Sequence, residues 1–241
     1  MDRDTIVGAL RPGVLGREVE HYQVALTTES IALGWLRQRG AGHGAVVVAD
    51  REIAARGRRF EEWTSVDGLA ASVIVKPELP VDRQDLLWAH GLLAARAAYA
   101  TVGIRVAPHW PEALLVNDTP MGLVKAESQL GPRGVASAVL TFRFDVTGVD
   151  DDGDSRLVLL AALLEALEVR LAQPPQAISE EFAEHDPLVG TQAVVQMLPR
   201  GSIRGTAVGI DNIGAFGVAG TSGHVTRLPV DQIRSIERPH D

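Results

Sequence analysis

The amino-acid sequence predicts an α+β protein, a mixed sheet with helices followed by a small β-barrel. Helical and strand-like patterns follow one another in an irregular order, unlike the strict alternation of a doubly wound parallel sheet. Beyond about Asp186 the pattern becomes short strands separated by glycines, which fits a barrel of about 50 residues. At 241 residues, 46% hydrophobic and 22% charged, the chain buries a core without staples.

An irregular N-terminal arm is expected over residues 1–20, then a first unit over 21–180 and the barrel over 187–241. Thr28-Glu29-Ser30 precede an apolar-periodic stretch (Ile31, Ala32, Leu36) that stops at Gly40, a capped helix. Ala45–Ala49 and Leu69–Val75 are too short for helices and read as buried strands, the second closed by Lys76-Pro77. Leu86, Leu87, Ala89, Leu92, Leu93 and Ala97 recur at helical period between Asp85 and Val102. Strands follow at Ile104–Val106, Leu114–Val116, Gly122–Glu127 and Val135–Val146, then a helix from Arg156 to Leu171 that the paired prolines end. The barrel strands are expected at Gln192–Met197, Gly205–Ile210, Gly214–Ala219 and His224–Pro229.

Composition excludes several function classes. The absence of cysteine removes disulfides, thiolate zinc sites and cysteine nucleophiles, and fits a reducing compartment. A net charge of -8 argues against a general nucleic-acid binder. The start has no secretory pattern, and the longest apolar run, Leu157 to Leu164, falls far short of a membrane span, so a cytoplasmic location is expected. Only Lys76 and Lys125 are lysines, so lysine chemistry has two positions to choose from. The histidines at 21, 43, 90, 185, 224 and 240 share no metal-ligand spacing, and no metal site is expected. Asp150-Asp-Asp-Gly-Asp154 lacks the later glutamate of a calcium loop and reads as a solvated turn. Trp35 and Trp88 fall in helical patterns and read as core, and Ser72 and Ser137 lack nucleophile-elbow context.

The segment from Ala49 to Trp63 is the most informative. Arg56, Arg58 and Arg59 surround Gly57 just after a buried strand, a dense positive loop in an acidic chain. Arginine presents a fixed fork of donors, and glycine lets backbone amides approach an anion, so phosphate or carboxylate binding is the functional inference. A solvated loop paired to Glu52, Glu61 and Glu62 is the alternative.

This segment resembles the Ala-Asp-Arg-Gln-x-Ala-Gly-Arg-Gly-Arg-Arg-Gly-x-x-Trp motif of the biotin–protein ligase family. Thr28-Glu29-Ser30 stands at the family's Ser-Thr-Asn, His109-Trp110-Pro111 at its Lys-Trp-Pro, and Met121-Gly122-Leu123-Val124 at its Ala-Gly-Ile-Leu. Gly205–Asp211 with Gly214-Ala215 is similar to its SH3-like C-terminal domain. The resemblance implies a biotin/lipoate-ligase-like catalytic domain and a two-step reaction: biotin and ATP, with Mg2+, give biotinyl-adenylate and pyrophosphate, and a lysine of a biotin carboxyl carrier domain then takes the biotin. It implies substrate-binding roles for Thr28, Glu29, Ser30, Glu52, Arg56, Gly57, Arg58, Arg59, Trp63, Trp110 and Gly122, with Arg58 and Arg56 on phosphate and carboxylate. Sheet edges in the family pair into dimers, which leaves a homodimer open.

The sequence also departs from the family. A lysine expected shortly before Ala-Gly falls on Pro120 or Thr119, neither of them a cation. Glu52 replaces a glutamine, Ala55 and Phe60 replace loop glycines, and Thr141-Phe-Arg-Phe-Asp145 replaces Gly-Ile-Gly-Ile-Asn, adding bulk and charge where substrate approaches the backbone. Ungapped counting puts Lys125 in place of a biotin-lining leucine, as a displaced electrostatic catalyst or a receptor for another anion; a shift of one residue turns it to solvent. The alternative to a ligase is a non-catalytic relative that binds a partner protein, another small acid or a nucleotide. On either reading an open cleft bordered by Arg56–Arg59 near Trp110 is expected, and Phe142, Arg143 and Phe144 filling it would exclude a ligand.

Overall fold

Strand β7 (Gly134–Asp145) is buried on both faces over most of its length, and it forms the centre of the large sheet. The computed structural model describes residues 2–11, 13–58, 63, 68–146 and 154–239. Among them a seven-stranded sheet runs in the order β1 (Val19–Ala25), β2 (Val46–Glu52), β3 (Gly68–Val75), β7, β6 (Thr119–Gly131), β5 (Ala113–Val116), β4 (Ala107–His109). β1 and β2 are parallel and the other neighbours antiparallel.

Period-two alternation sends the strand residues to two different cores. Val46, Val48, Ala71, Val73, Val124, Leu140, Phe142 and Phe144 face the larger one, built with helices α3 (Leu86–Thr101), α4 (Asp154–Leu171) and α5 (Pro175–His185). Helix α3 is buried nearly all round, as its alanine-rich apolar sequence requires. Val47, Ile74 and Val139 face the opposite side, where Ala32 and Trp35 of helix α2 (Thr28–Arg39) cover them.

Among the described residues a second, five-stranded antiparallel sheet has the order β11 (Val225–Leu228), β10 (Phe216–Ala219), β9 (Ser202–Ile210), β8 (Gln192–Met197), β12 (Ile233–Glu237), consistent with an SH3-like fold. No described helix is long and apolar enough to cross a membrane.

Several elements differ from expectation. The N-terminal arm contains helix α1 (Arg3–Ala9), capped by Asp2, whose side chain accepts from Thr5 N at 2.8 Å, and it runs into β1. β1 is an edge strand with polar residues, so no apolar run announces it. The strand expected at 104–106 begins at Ala107 instead; Pro108 is accommodated because β4 is the opposite edge. The prolines that end α4 also start α5, with Pro175 in its first turn, where the missing N–H costs nothing. β12 adds a barrel strand that the glycine spacing does not mark, and β10 starts at Phe216 rather than Gly214.

Candidate active site

Helix α2 covers only part of its face of the sheet, and the chemistry changes where it stops. Thr27 is the N-cap, its side chain accepting from Ser30 N at 2.9 Å, so Thr28, Glu29 and Ser30 form the first turn rather than precede it. Across that face Ile74 pairs with Val139, then Ser72 with Thr141 and Ala70 with Arg143, while Lys125 pairs with Thr141 from β6. The surface under the start of α2 thus turns from apolar to polar within two residues of each strand.

These side chains form one network. Thr28 donates to Glu52 Oε1 through its backbone N (2.5 Å) and Oγ1 (2.9 Å). Ser72 Oγ donates to Thr28 Oγ1 at 2.9 Å and lies 2.9 Å from Thr141 Oγ1. The other carboxylate oxygen of Glu52 accepts from Arg143 Nε. Lys125 faces this site: its Nζ lies 2.7 Å from Glu29 Oε1 and 3.9 Å from Glu127.

Arg143 is the least satisfied member. It is 4% exposed, the Trp63 ring lies 4.1 Å from its Cζ, and neither Nη1 nor Nη2 has a hydrogen-bond partner among the described residues. A buried donor left open costs about 1–3 kcal/mol. Burial pulls the guanidinium pKa below its ordinary value, and the Glu52 carboxylate opposes that shift. The space beside it, between β2 and β3, is a cavity of about 20 Å³ lined by Arg51, Glu52, Ala55, Leu69 and Ala70.

The arginine loop is less open than expected. Arg58 is 7% exposed, and its guanidinium donates to the carbonyls of Val230 (2.8 Å), Ile233 (2.5 Å) and Arg234 (3.0 Å) beside the barrel's last strand, with Glu112 at 3.5 Å. These donors serve the seam between the two sheets rather than an open phosphate site, because three converging carbonyls match the planar fork. Arg56 is exposed. Gly57 has Trp63 so close that a Cβ would collide with the indole. Arg59 lies outside the described residues, as do Asp150 to Gly153 of the acidic turn.

Trp110 and Gly122 do not join the site. Trp110 is fully buried with its ring edge-on to Phe182 of α5, at 5.4 Å, because a large apolar ring gains most in the core. Gly122 faces α3, where a Cβ would come within 3.0 Å of the Tyr99 ring; the Tyr99 hydroxyl donates to the Met121 and Asp145 carbonyls. His109 belongs to the seam, its Nε2 donating to the Ile236 carbonyl at 3.1 Å, and burial lowers its pKa. Phe142 and Phe144 turn to the α3 core, so of the three residues that could have filled the cleft only Arg143 enters it. Trp35 and Trp88 are buried. No cluster of three His, Asp or Glu suited to a metal occurs among the described residues.

Ser72, Thr141 and Arg143 were not among the predicted site residues. Their signal is alternation: polar side chains at every second position of apolar strands, Thr141 and Arg143 between Leu140, Phe142 and Phe144. A groove of about 630 Å³ between Lys76–Pro80 and the β6–β7 turn is larger than the cleft, but its charged residues Lys76, Glu78 and Arg133 are exposed.

No protein-family model matches the chain. In sequence it is 29% identical over 161 residues to the bifunctional ligase/repressor BirA of Bacillus spizizenii, across 64% of this chain and 48% of that protein. The chain therefore spans about half the length of the curated relatives that it matches. In structure it is similar to the biotin protein ligase of Aquifex aeolicus in complex with biotin and ATP, with TM-score 0.72 and 17% identity over 92% of this chain and 100% of that one. It is also similar to the biotin acetyl coenzyme A carboxylase synthetase of Helicobacter pylori with bound biotinylated ATP, with TM-score 0.65 and 15% identity over 87% and 99% of the two chains. The resemblance to biotin protein ligases holds in sequence and in fold.

Proposed function

We propose, from the biotin protein ligase architecture of this chain, that it is an ATP-dependent ligase for a carboxylic acid more polar than biotin. The acid would lie on the polar surface beneath the first turn of α2. Its carboxylate would attack the α-phosphate of magnesium-bound ATP, releasing pyrophosphate, and a lysine amine of a carrier protein would then displace AMP. Residues 21–180 would carry the chemistry, and the barrel over 187–241 would hold the arginine loop in place.

The carrying observation is Lys125 on this face, 2.7 Å from Glu29. Joining a carboxylate to a phosphate brings two anions together, so such a site needs a fixed cation. Thr119 and Pro120 supply none, and Lys76 is exposed elsewhere. With Lys125 at a leucine position and Arg143 at a glycine position of the family pattern, the surface favours a polar acid over the thioether ring and alkyl chain of biotin. Of Arg58 and Arg56, which the resemblance puts on phosphate and carboxylate, Arg58 is taken up by barrel carbonyls, and the exposed Arg56 would meet the phosphate.

A second reading, a non-catalytic acid-binding relative, is favoured by Arg58, whose two terminal nitrogens already donate to barrel carbonyls. Pyrophosphate release from magnesium-ATP, measured with biotin and with a series of short carboxylic acids, separates the two. The ligase reading expects release with a polar acid, less with biotin, and a loss of at least about tenfold in Lys125→Gln, in line with one charge-assisted contact. No release with any acid would leave only the second reading.

A further inference from the structure

We infer that Arg143 is a carboxylate receptor, gripping one carboxylate of a small organic acid through its free Nη1 and Nη2 edge. The inference rests on the acid-binding half of the reading above and is independent of catalysis.

The Nε side and one face of the guanidinium are occupied. The Nε–H is held by Glu52, and Glu52 is fixed in turn by the two donors of Thr28. The ring of Trp63 lies over the Cζ, which occupies a face and leaves the in-plane donors untouched. What remains is the end of the fork, Nη1 and Nη2, buried and without a partner among the described residues. A carboxylate matches that edge with two parallel N–H···O bonds.

The cavity beside Arg143 sets the class of ligand. At about 20 Å³ it admits roughly one water-sized group, room for a single carboxylate oxygen rather than a whole anion. A tetrahedral phosphate dianion is larger, and Glu52 and Asp50 on the cavity wall oppose its second charge. Arg51 on the same wall offsets the single charge of a carboxylate. The rest of the acid would lie toward the half-buried Trp63.

Calorimetric titration of the full chain with acetate, malonate, succinate and inorganic phosphate tests this. At least one carboxylate should bind, and bind more tightly than phosphate. Arg143→Lys keeps the charge but loses the fork, and should weaken binding by about tenfold or more, the loss of one charge-assisted hydrogen bond. Ala70→Leu fills the cavity without touching a charge and should weaken binding likewise, so a misfolded Arg143 variant would not end the test. Absence of carboxylate binding, a preference for phosphate, or affinity unchanged in the folded variants would overturn the inference. Pyrophosphate release lost while carboxylate binding persists would defeat only the ligase reading; release that continues without Arg143-dependent binding would defeat only this one.

Discussion

Two buried arginines, Arg58 and Arg143, divide the molecule into a seam and a cleft. At the seam, Arg58 meets three backbone carbonyls, and neighbouring contacts repeat the pattern: His109 donates to the Ile236 carbonyl, and Asp85 accepts from Val230 N at 2.8 Å. In the cleft, Arg143 has one carboxylate partner and two nitrogens without a hydrogen-bond partner among the described residues. Burial is nearly equal, so burial alone does not tell a structural charge from a functional one. The difference lies in satisfaction. A guanidinium whose terminal nitrogens are answered by backbone carbonyls is part of the fold, whereas one whose terminal nitrogens are left open holds capacity for something outside the chain.

The largest expected effect lies in the cleft. Glu52→Ala removes the partner of Arg143 and the acceptor for two donors of Thr28, leaving an uncompensated buried charge. The cost should be about 3–5 kcal/mol in urea unfolding. Adding Arg143→Met to that variant should recover part of the loss, since the stranded cation is then gone. A double variant no more stable than the single one would mean that the Thr28 bonds alone account for the cost.

Next comes the direct contrast between the arginines. Arg58→Met strands three carbonyls in the seam and should cost about 3 kcal/mol. Arg143→Met removes two open donors but leaves the buried Glu52 carboxylate to the two Thr28 donors alone, so about 2–3 kcal/mol is expected, below the loss in Glu52→Ala. Equal losses in thermal unfolding of the two variants would break the comparison. A ligand that raises the melting temperature of wild type and Arg58→Met but not of Arg143→Met would sharpen it.

The elements most legible from sequence were those with a strong single period. Helices α2 and α3 and strands β2, β3, β6 and β7 follow their apolar patterns because each packs against one face or is wholly enclosed. What escaped were elements whose burial is tertiary: the edge strand β1, helix α5 beyond two prolines, and β12, whose alternation is short. The site was legible as a place, through Thr28, Glu29, Glu52 and Lys125. Its wiring was not, because the arginine motif says what Arg58 can bind and nothing about which element arrives to bind it. The barrel strand that holds Arg58 is some 175 residues away in the chain, beyond the reach of any local pattern.

The smallest net effect in the wild type concerns pH, because two buried groups, one on α3 and one just after α5, titrate in opposite senses. Asp186, just after α5, accepts from Leu188 N at 2.9 Å, and burial raises its pKa to about 6, with Arg238 opposing. The folded state then holds a proton that the unfolded chain releases, so this group's stabilisation is full below about pH 4 and is lost as pH rises through 6. His90, on α3 beside Arg170, is pushed by burial down to about 4, and only the unfolded chain takes up its proton between pH 6.5 and 4. Its contribution is full above 6.5 and lost as pH falls toward 4. The two slopes, each at most about 1.4 kcal/mol per pH unit, oppose one another between pH 4 and 6. In their common window these two contributions should nearly cancel in the wild type. Asp186→Asn should expose a rise with pH, to which lowered His109 adds, and His90→Gln should expose a fall. Chemical unfolding at pH 4.5, 5.25 and 6 reads both, and parallel profiles for the two variants would remove the assignment.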